Sequence, residues 1–209
     1  MIFDLHTHSK YSFDSLQKPE KMLKVAYKKG LDGIAITDHG TIRGGLEALK
    51  CKNPGVKIIV GSEISTEVGH ILCLFLNEEI KSKSAIEVIE EVKEQDGMTV
   101  LAHPFQKKKH IPEMILKKID AIEGYNGRTS QEANIKAMEL AKKYRLPITA
   151  GSDAHFSFEI GNTKMILESG NYVNMKKTIL ANNTIFYNHS IKFPKSFSRV
   201  VKLIKTKLI

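Results

Sequence analysis

At 209 residues, 42% of them hydrophobic, the chain can bury one substantial core and is short for two, so a single domain spanning 1–209 is expected. No run approaches the ~20 apolar residues of a membrane span, and the first motif begins within a few residues of Met1, which predicts a cytoplasmic protein without a leader. The formal charge of +9 rests almost wholly on Lys, since only Arg43, Arg128, Arg145 and Arg199 are Arg; it favours anionic substrates without itself making a nucleic-acid groove.

Ile2 to Leu5 reads as a first strand, after which His6, His8 and Asp14 follow closely. Alternate side chains of an extended strand share a face, so His6 and His8 can grip one ion as a pair. Asp14, one loop further on, reaches the same opening with a harder, carboxylate donor. A helix follows from Pro19, with Lys28-Lys29-Gly30 at its end. Leu31 to Thr37 is the second strand, with His39 just beyond it. Arg43-Gly44-Gly45 reads as a turn into a short helix, Leu46 to Cys51. Val56 to Val60 is the third strand, and its exit carries Glu63. His70 then opens the apolar run Ile71 to Leu76, within which Cys73 reads as core. Cys51 and Cys73 are the only cysteines and lie far apart, which argues against a disulfide framework or a thiolate metal site.

Ser82 to Gln95 has the apolar spacing of a helix, ended by Asp96-Gly97. Met98 to Ala102 is a strand leading to His103-Pro104, and Lys107-Lys108-Lys109-His110 is a basic loop. Pro112 to Lys118 reads as a short helix, Ala121 to Tyr125 as a strand, and Ser130 to Tyr144 as a helix with a Ser cap. Leu146 to Ala150 delivers Asp153 and His155. His110 and His189 read as ordinary loop residues. In the tail, Phe197, Val200, Val201, Ile204 and Leu208 share one helical face, so 196–209 is expected to be a basic amphipathic helix packed on the domain as a closing element.

Ligand-type residues thus recur just after apolar runs, as at the strand ends of an α/β sheet whose strands are mostly parallel. Asp4 and Asp38 adjoin ligands but alternate away from them, which predicts acceptors that orient imidazoles. Arg128 suits a phosphate with its planar fork, or a salt bridge to a neighbouring helix.

The ordered words Asp4-Leu5-His6-Thr7-His8, Thr37-Asp38-His39-Gly40, Gly61-Ser62-Glu63, Ala102-His103-Pro104, Glu123-Gly124-Tyr125-Asn126-Gly127-Arg128 and Gly151-Ser152-Asp153-Ala154-His155 resemble the polymerase-and-histidinol-phosphatase (PHP) family of metal-dependent phosphoesterases. The resemblance implies a distorted seven-stranded β/α barrel and three divalent ions, manganese, iron or zinc. It assigns His6, His8, Glu63 and Asp153 to one ion, Glu63, His70 and His103 to a second, and Asp14, His39 and His155 to a third, with Glu63 as the bridge. Some relatives have His where Asp14 stands, and the carboxylate favours manganese over zinc.

Phosphoester hydrolysis needs a hydroxide at neutral pH, charge neutralisation at the phosphoryl oxygens and a stabilised leaving group, all of which clustered divalent ions supply. Glu63, Asp153 and Arg128 are the side chains expected at the reacting phosphate. The expected function is hydrolysis of phosphomonoesters or of nucleotide and oligonucleotide ends, by a hydroxide generated at a trinuclear site. Two alternatives stand beside it: a metal-binding accessory module associated with nucleic acid, and an amidohydrolase-like C–N hydrolase. Nucleoside bisphosphate phosphatases of the family insert a helical domain between the positions of His70 and His103. Only Ile71 to Ala102 intervene here, which predicts an open site, covered by the loops around Asp14, Arg43 and Lys107-Lys108-Lys109, with modest discrimination among substrates.

Overall fold

Apolar side chains along the central strands alternate between two packed surfaces, and that alternation builds the architecture. The computed structural model describes residues 1–107, 110–167, 175–181, 184–188, 201–203 and 205. In chain order the elements are β1 (Ile2–Thr7), α1 (Pro19–Lys28), β2 (Gly33–His39), α2 (Arg43–Lys50), β3 (Lys57–Thr66), β4 (Gly69–Leu74), α3 (Ala85–Glu94), β5 (Met98–Ala102), α4 (Glu113–Leu116), β6 (Ala121–Asn126), α5 (Gln131–Tyr144), β7 (Ile148–Gly151), β8 (Thr163–Leu167), α6 (Met175–Leu180) and β9 (Thr184–Asn188). Ala35, Leu72, Val100 and Ala121 join Phe3, Leu5 and Ala150 in an interior cluster. Their strand neighbours Ile34, Ile71, Leu101 and Ile122 pack outward, Ile34 against α1 and α2 and the others with α3 and α5.

The strands form one sheet in the order β7-β6-β5-β4-β3-β2-β1-β8-β9. The sheet curls until the chain leaving β7 meets the end of β1: Thr7 and Ala154 form a parallel bridge, and His8 N donates to Ala154 O at 2.9 Å. Strands β1 to β7 therefore nearly close into a barrel at this rim, β7 and β1 being joined by that bridge and not by a ladder. At the other end of β1, Ile2 and Phe3 pair antiparallel with Ile166 and Met165 of β8. The distortion lies there, because β8 takes the place beside β1 that the β7 exit takes at the rim.

One departure from the mostly parallel expectation positions the site. Strand β3 runs on past Glu63 to Thr66 and turns straight back into β4, which is antiparallel to both β3 and β5. A tight connection leaves no room for a crossover helix, so reversal follows. Because β4 runs backwards, its first residues stand at the rim where the parallel strands end, and His70 lies across from Ala102, next to His103. A second departure is Gly44-Gly45, which belongs to α2 and is not a turn. A Cβ on Gly44 would run into Asp38 Oδ2 and Ser9 Oγ, so the glycines let α2 settle directly on the site-bearing loops.

Cys73 is fully buried in the outer core and both cysteines are free. Strand β8, helix α6 and strand β9 had no sequence expectation. Of the tail, residues 201–203 and 205 are helical and Val201 is buried, while the rest of 196–209 lies outside the described residues, as do Lys108, Lys109 and His189. Among the described residues no helix is long and apolar enough to cross a membrane.

Candidate metal centre

All nine expected ligand residues converge at the closed rim. His6 ends β1 with His8 just beyond, Asp14 follows in the loop, His39 ends β2, Glu63 lies within β3, His70 opens β4, His103 follows β5, and Asp153 and His155 follow β7. His39 and Glu63 are register partners across β2 and β3. A cavity of about 280 Å³ is lined by Asp14, His39, Glu63, His70, His103, Asp153 and His155, together with Phe13, Gln106, Lys107, Arg128 and Lys202. His6 and His8 lie beneath it, fully buried.

The two oxygens of Glu63 face different sets of imidazoles. Oε2 is 3.4 Å from both His6 Nε2 and His8 Nε2 and 3.1 Å from His39 Nδ1. Oε1 is 2.5 Å from His70 Nδ1 and 2.9 Å from His103 Nε2. Asp153 Oδ1 joins the first set, 3.6 Å from His6 Nε2 and 3.3 Å from His8 Nε2. Asp14 Oδ2 stands 2.9 Å from His155 Nε2 and 3.5 Å from His39 Nε2. These are candidate metal-ligand clusters, and the donor atoms fit divalent ions. The Nε2 atoms of His6 and His8 face one another at 3.1 Å, close enough for both to reach one ion. Asp14 Oδ1 is buried without a hydrogen-bond partner, a carboxylate oxygen still able to take a ligand.

Burial and neighbouring charge pull the titrations apart. Burial alone would raise Glu63, but His39 and His6 hold it well below the usual carboxylate range, and Asp153 is held down likewise by His6 and His8. Burial pulls His6 down, yet Glu123, Asp153 and Glu63 raise it well above an ordinary imidazole. His8 behaves oppositely: burial, with His155 and His39 beside it, lowers it to about 3. His103 and His39 are raised against the pull of burial, His103 by Glu63 with Glu123 and Asp153, His39 by Glu63 with Asp14 and Asp153.

The groups that fix the imidazoles are not those expected. Glu123 accepts from His6 Nδ1 and from His103 N, both at 2.9 Å, and from Asn126 Nδ2 at 3.0 Å. Ser12 Oγ takes His8 Nδ1 at 2.9 Å and His39 N at 3.0 Å, and His155 Nδ1 donates to Asp153 O at 2.8 Å. Asp4 and Asp38, expected in this role, pin backbone instead. Asp4 accepts from Ser152 N, Ser152 Oγ and Gly161 N, and Asp38 from Ser9 N and Ser9 Oγ. Burial raises Asp4 to about 6 despite these bonds. The sequence signal for Glu123 is a lone carboxylate directly after Ala121-Ile122, in a strand buried at both residues.

Arg128 lines the cavity with its Nε 3.6 Å from Glu159 Oε1, so it is paired and cleft-facing at once. Glu159 lies in the loop before β8, not on a helix, and also accepts from His155 N at 2.8 Å. His103 (φ 28°) and Asp153 (φ 56°) adopt positive φ without being glycine, a backbone cost found where surrounding structure fixes a working side chain.

The chain is 49% identical over 117 residues to a protein of Methanocaldococcus jannaschii described as uncharacterised, covering 50% of this chain and 68% of that one. It is 42% identical over 65 residues to the 5'-3' exoribonuclease of Haemophilus influenzae, covering 31% of this chain and 23% of that enzyme. It superposes with a TM-score of 0.76, at 21% identity, on the crystal structure of a two-domain protein from Bacteroides vulgatus containing a predicted PHP-like metal-dependent phosphoesterase, covering 98% of this chain and 69% of that one. The PHP domain model matches residues 4–192, and with the barrel and the ligand-lined rim in place, the chain belongs to the PHP domain family.

Proposed function

We propose that this protein is a metal-dependent hydrolase of phosphoesters, acting on small phosphorylated compounds or the ends of short nucleic acids. The observation that carries the reading is Glu63, a buried carboxylate with one oxygen facing His6, His8 and His39 and the other facing His70 and His103. Such a residue joins two ligand sets, and a third set, Asp14, His39 and His155, stands beside them. In this reading His6, His8, Glu63 and Asp153 hold one ion, Glu63, His70 and His103 a second, and Asp14, His39 and His155 a third, of manganese, iron or zinc.

Divalent ions at these positions supply positive charge for phosphoryl oxygens and acidify water to a hydroxide at neutral pH. The chain's own residues do the positioning. Glu123 fixes the His6 tautomer so that Nε2 faces the centre, Ser12 does the same for His8, and the Arg128 fork, braced by Glu159, meets the phosphate. The exoribonuclease named above supports nucleic-acid ends as one substrate class. The span between His70 and His103 holds only β4, α3 and β5, which supports an open cleft with modest leaving-group preference.

The test is turnover of p-nitrophenyl phosphate, its bis-ester and short oligonucleotides by the manganese-loaded protein. Hydrolysis of several of these, abolished by chelation, is the expected result. A metal-loaded protein that hydrolyses none of them, or that cleaves amides instead, would contradict it.

A further inference from the structure

Beyond residue 192 the chain leaves the region matched by the PHP model, yet residues 201–203 and 205 return to the site. Lys205 Nζ donates to Lys10 O at 2.6 Å and to Ser12 O at 2.5 Å. The loop that supplies these carbonyls carries Ser12, whose Oγ meets the His8 ring at Nδ1 and the His39 backbone N, and Asp14 of the candidate metal centre. An ammonium taken partly out of water needs such partners. The docking also sets where the neighbouring turn falls. Lys202, three residues earlier and hence on the same side of a helix, lies with its Nζ 4.7 Å from the centre of the Phe13 ring. Phe13 stacks in turn on His39, with ring centres 4.5 Å apart and planes 12° apart, and Lys202 lines the same cavity as Asp14, His39 and Arg128.

We propose that residues 201–203 and 205 form a wall of the cleft, in which Lys205 is a positioning residue that clamps the Asp14 loop and Lys202 is a substrate-binding cation that contacts the phosphate. Arg128 approaches the cleft from the loop after β6 and Lys202 from the tail, so a phosphoryl group between them meets a cation from each. This rests on the cleft being a phosphate site, as proposed above.

Three measurements on the full manganese-loaded chain test it: calorimetric titration with inorganic phosphate, steady-state kinetics on p-nitrophenyl phosphate, and hydrogen exchange. Lys202→Gln is expected to weaken phosphate binding about tenfold and to raise KM similarly while kcat stays within about twofold, and Lys202→Arg to keep phosphate affinity within about twofold. Lys205→Met is expected to weaken phosphate binding and to speed hydrogen exchange of the Tyr11 to Asp14 amides, a change that Lys202→Gln should not produce. Unchanged phosphate affinity in Lys202→Gln, with the wild-type melting temperature retained, overturns the inference, as does a wild-type protein that binds no phosphate at millimolar concentration. If phosphate binds in a Lys202-dependent way but no phosphoester is cleaved, the hydrolase reading falls and this inference stands. If turnover is normal and indifferent to Lys202, the reverse holds.

Discussion

The two ends of the barrel are built on opposite principles. At the end where β1 meets β8, Phe3, Leu74, Met98 and Met165 are fully buried in one apolar cluster. At the other end, six imidazoles and three carboxylates crowd into a few ångströms, two of them on positive-φ backbone. Burial of apolar area stabilises the first, whereas burial of ionisable groups costs free energy at the second unless something compensates it. The contrast teaches that the fold is held by one end and spent on ligand geometry at the other, so the two should respond independently to mutation.

The largest expected effect breaks the ligand end alone. Glu63→Ala removes the carboxylate shared by two ligand sets, and kcat/KM on a phosphoester is predicted to fall by at least about a thousandfold, with more bound metal lost than from any other single ligand change. Circular dichroism should show a folded protein, and retention of full metal content would break the comparison. The converse change is Leu74→Ala. Leu74 ends β4 at the end away from His70, and removing its side chain is predicted to cost about 2–5 kcal/mol of stability by urea unfolding while leaving metal stoichiometry intact. Metal loss in that variant would show that the ends are coupled.

Smaller effects sharpen the contrast. Glu123→Gln keeps the size of the side chain but weakens the acceptor for His6 Nδ1 and His103 N, and metal affinity should drop about 10–100-fold without loss of fold. The pH dependence follows from the imidazoles. In the metal-free protein His6, His39 and His103 titrate above an ordinary His, so their contribution to stability is fully present below the unfolded value of 6.5 and is lost as pH rises through their folded values. His8, lowered to about 3, acts only below 6.5, and Glu63 and Asp153, held below their ordinary carboxylate values, also act only on the acid side. Above pH 6.5 the metal-free melting temperature should therefore decline while metal binding, which needs neutral imidazoles, strengthens. Calorimetric scans with and without manganese between pH 6.5 and 9 should show the gap widening; a constant gap would contradict this account.

Much of the ligand end was legible because most of the ligands follow an apolar run, and an apolar run ending in His, Glu or Asp marks a strand exit; Asp14 lies a loop further on and His70 opens its run. The interior was legible as alternation, as in Ile34-Ala35-Ile36. What was not legible has physical reasons. Ile71 to Leu76 is apolar throughout and carries no sign of its direction, so the reversal of β4, which brings His70 to the rim, could be read only from pairing. Gly44-Gly45 looks like a turn because glycine disfavours helices, yet it lies within α2, where neighbouring residues leave no room for a side chain. Glu123 sits inside a strand, not at its exit, and Asp4 and Asp38 hold backbone rather than imidazoles because their alternation turns them toward the loops of neighbouring strands. The clamp of Lys205 joins positions far apart in the chain and has no local signature.

The most direct test of the central claim is anomalous diffraction from crystals of the manganese-loaded protein. Separate peaks are expected among the three ligand sets, with both oxygens of Glu63 engaged by different ions and Asp14 Oδ1 or Oδ2 on another. A single peak, or peaks that leave Glu63 uncoordinated, would contradict it.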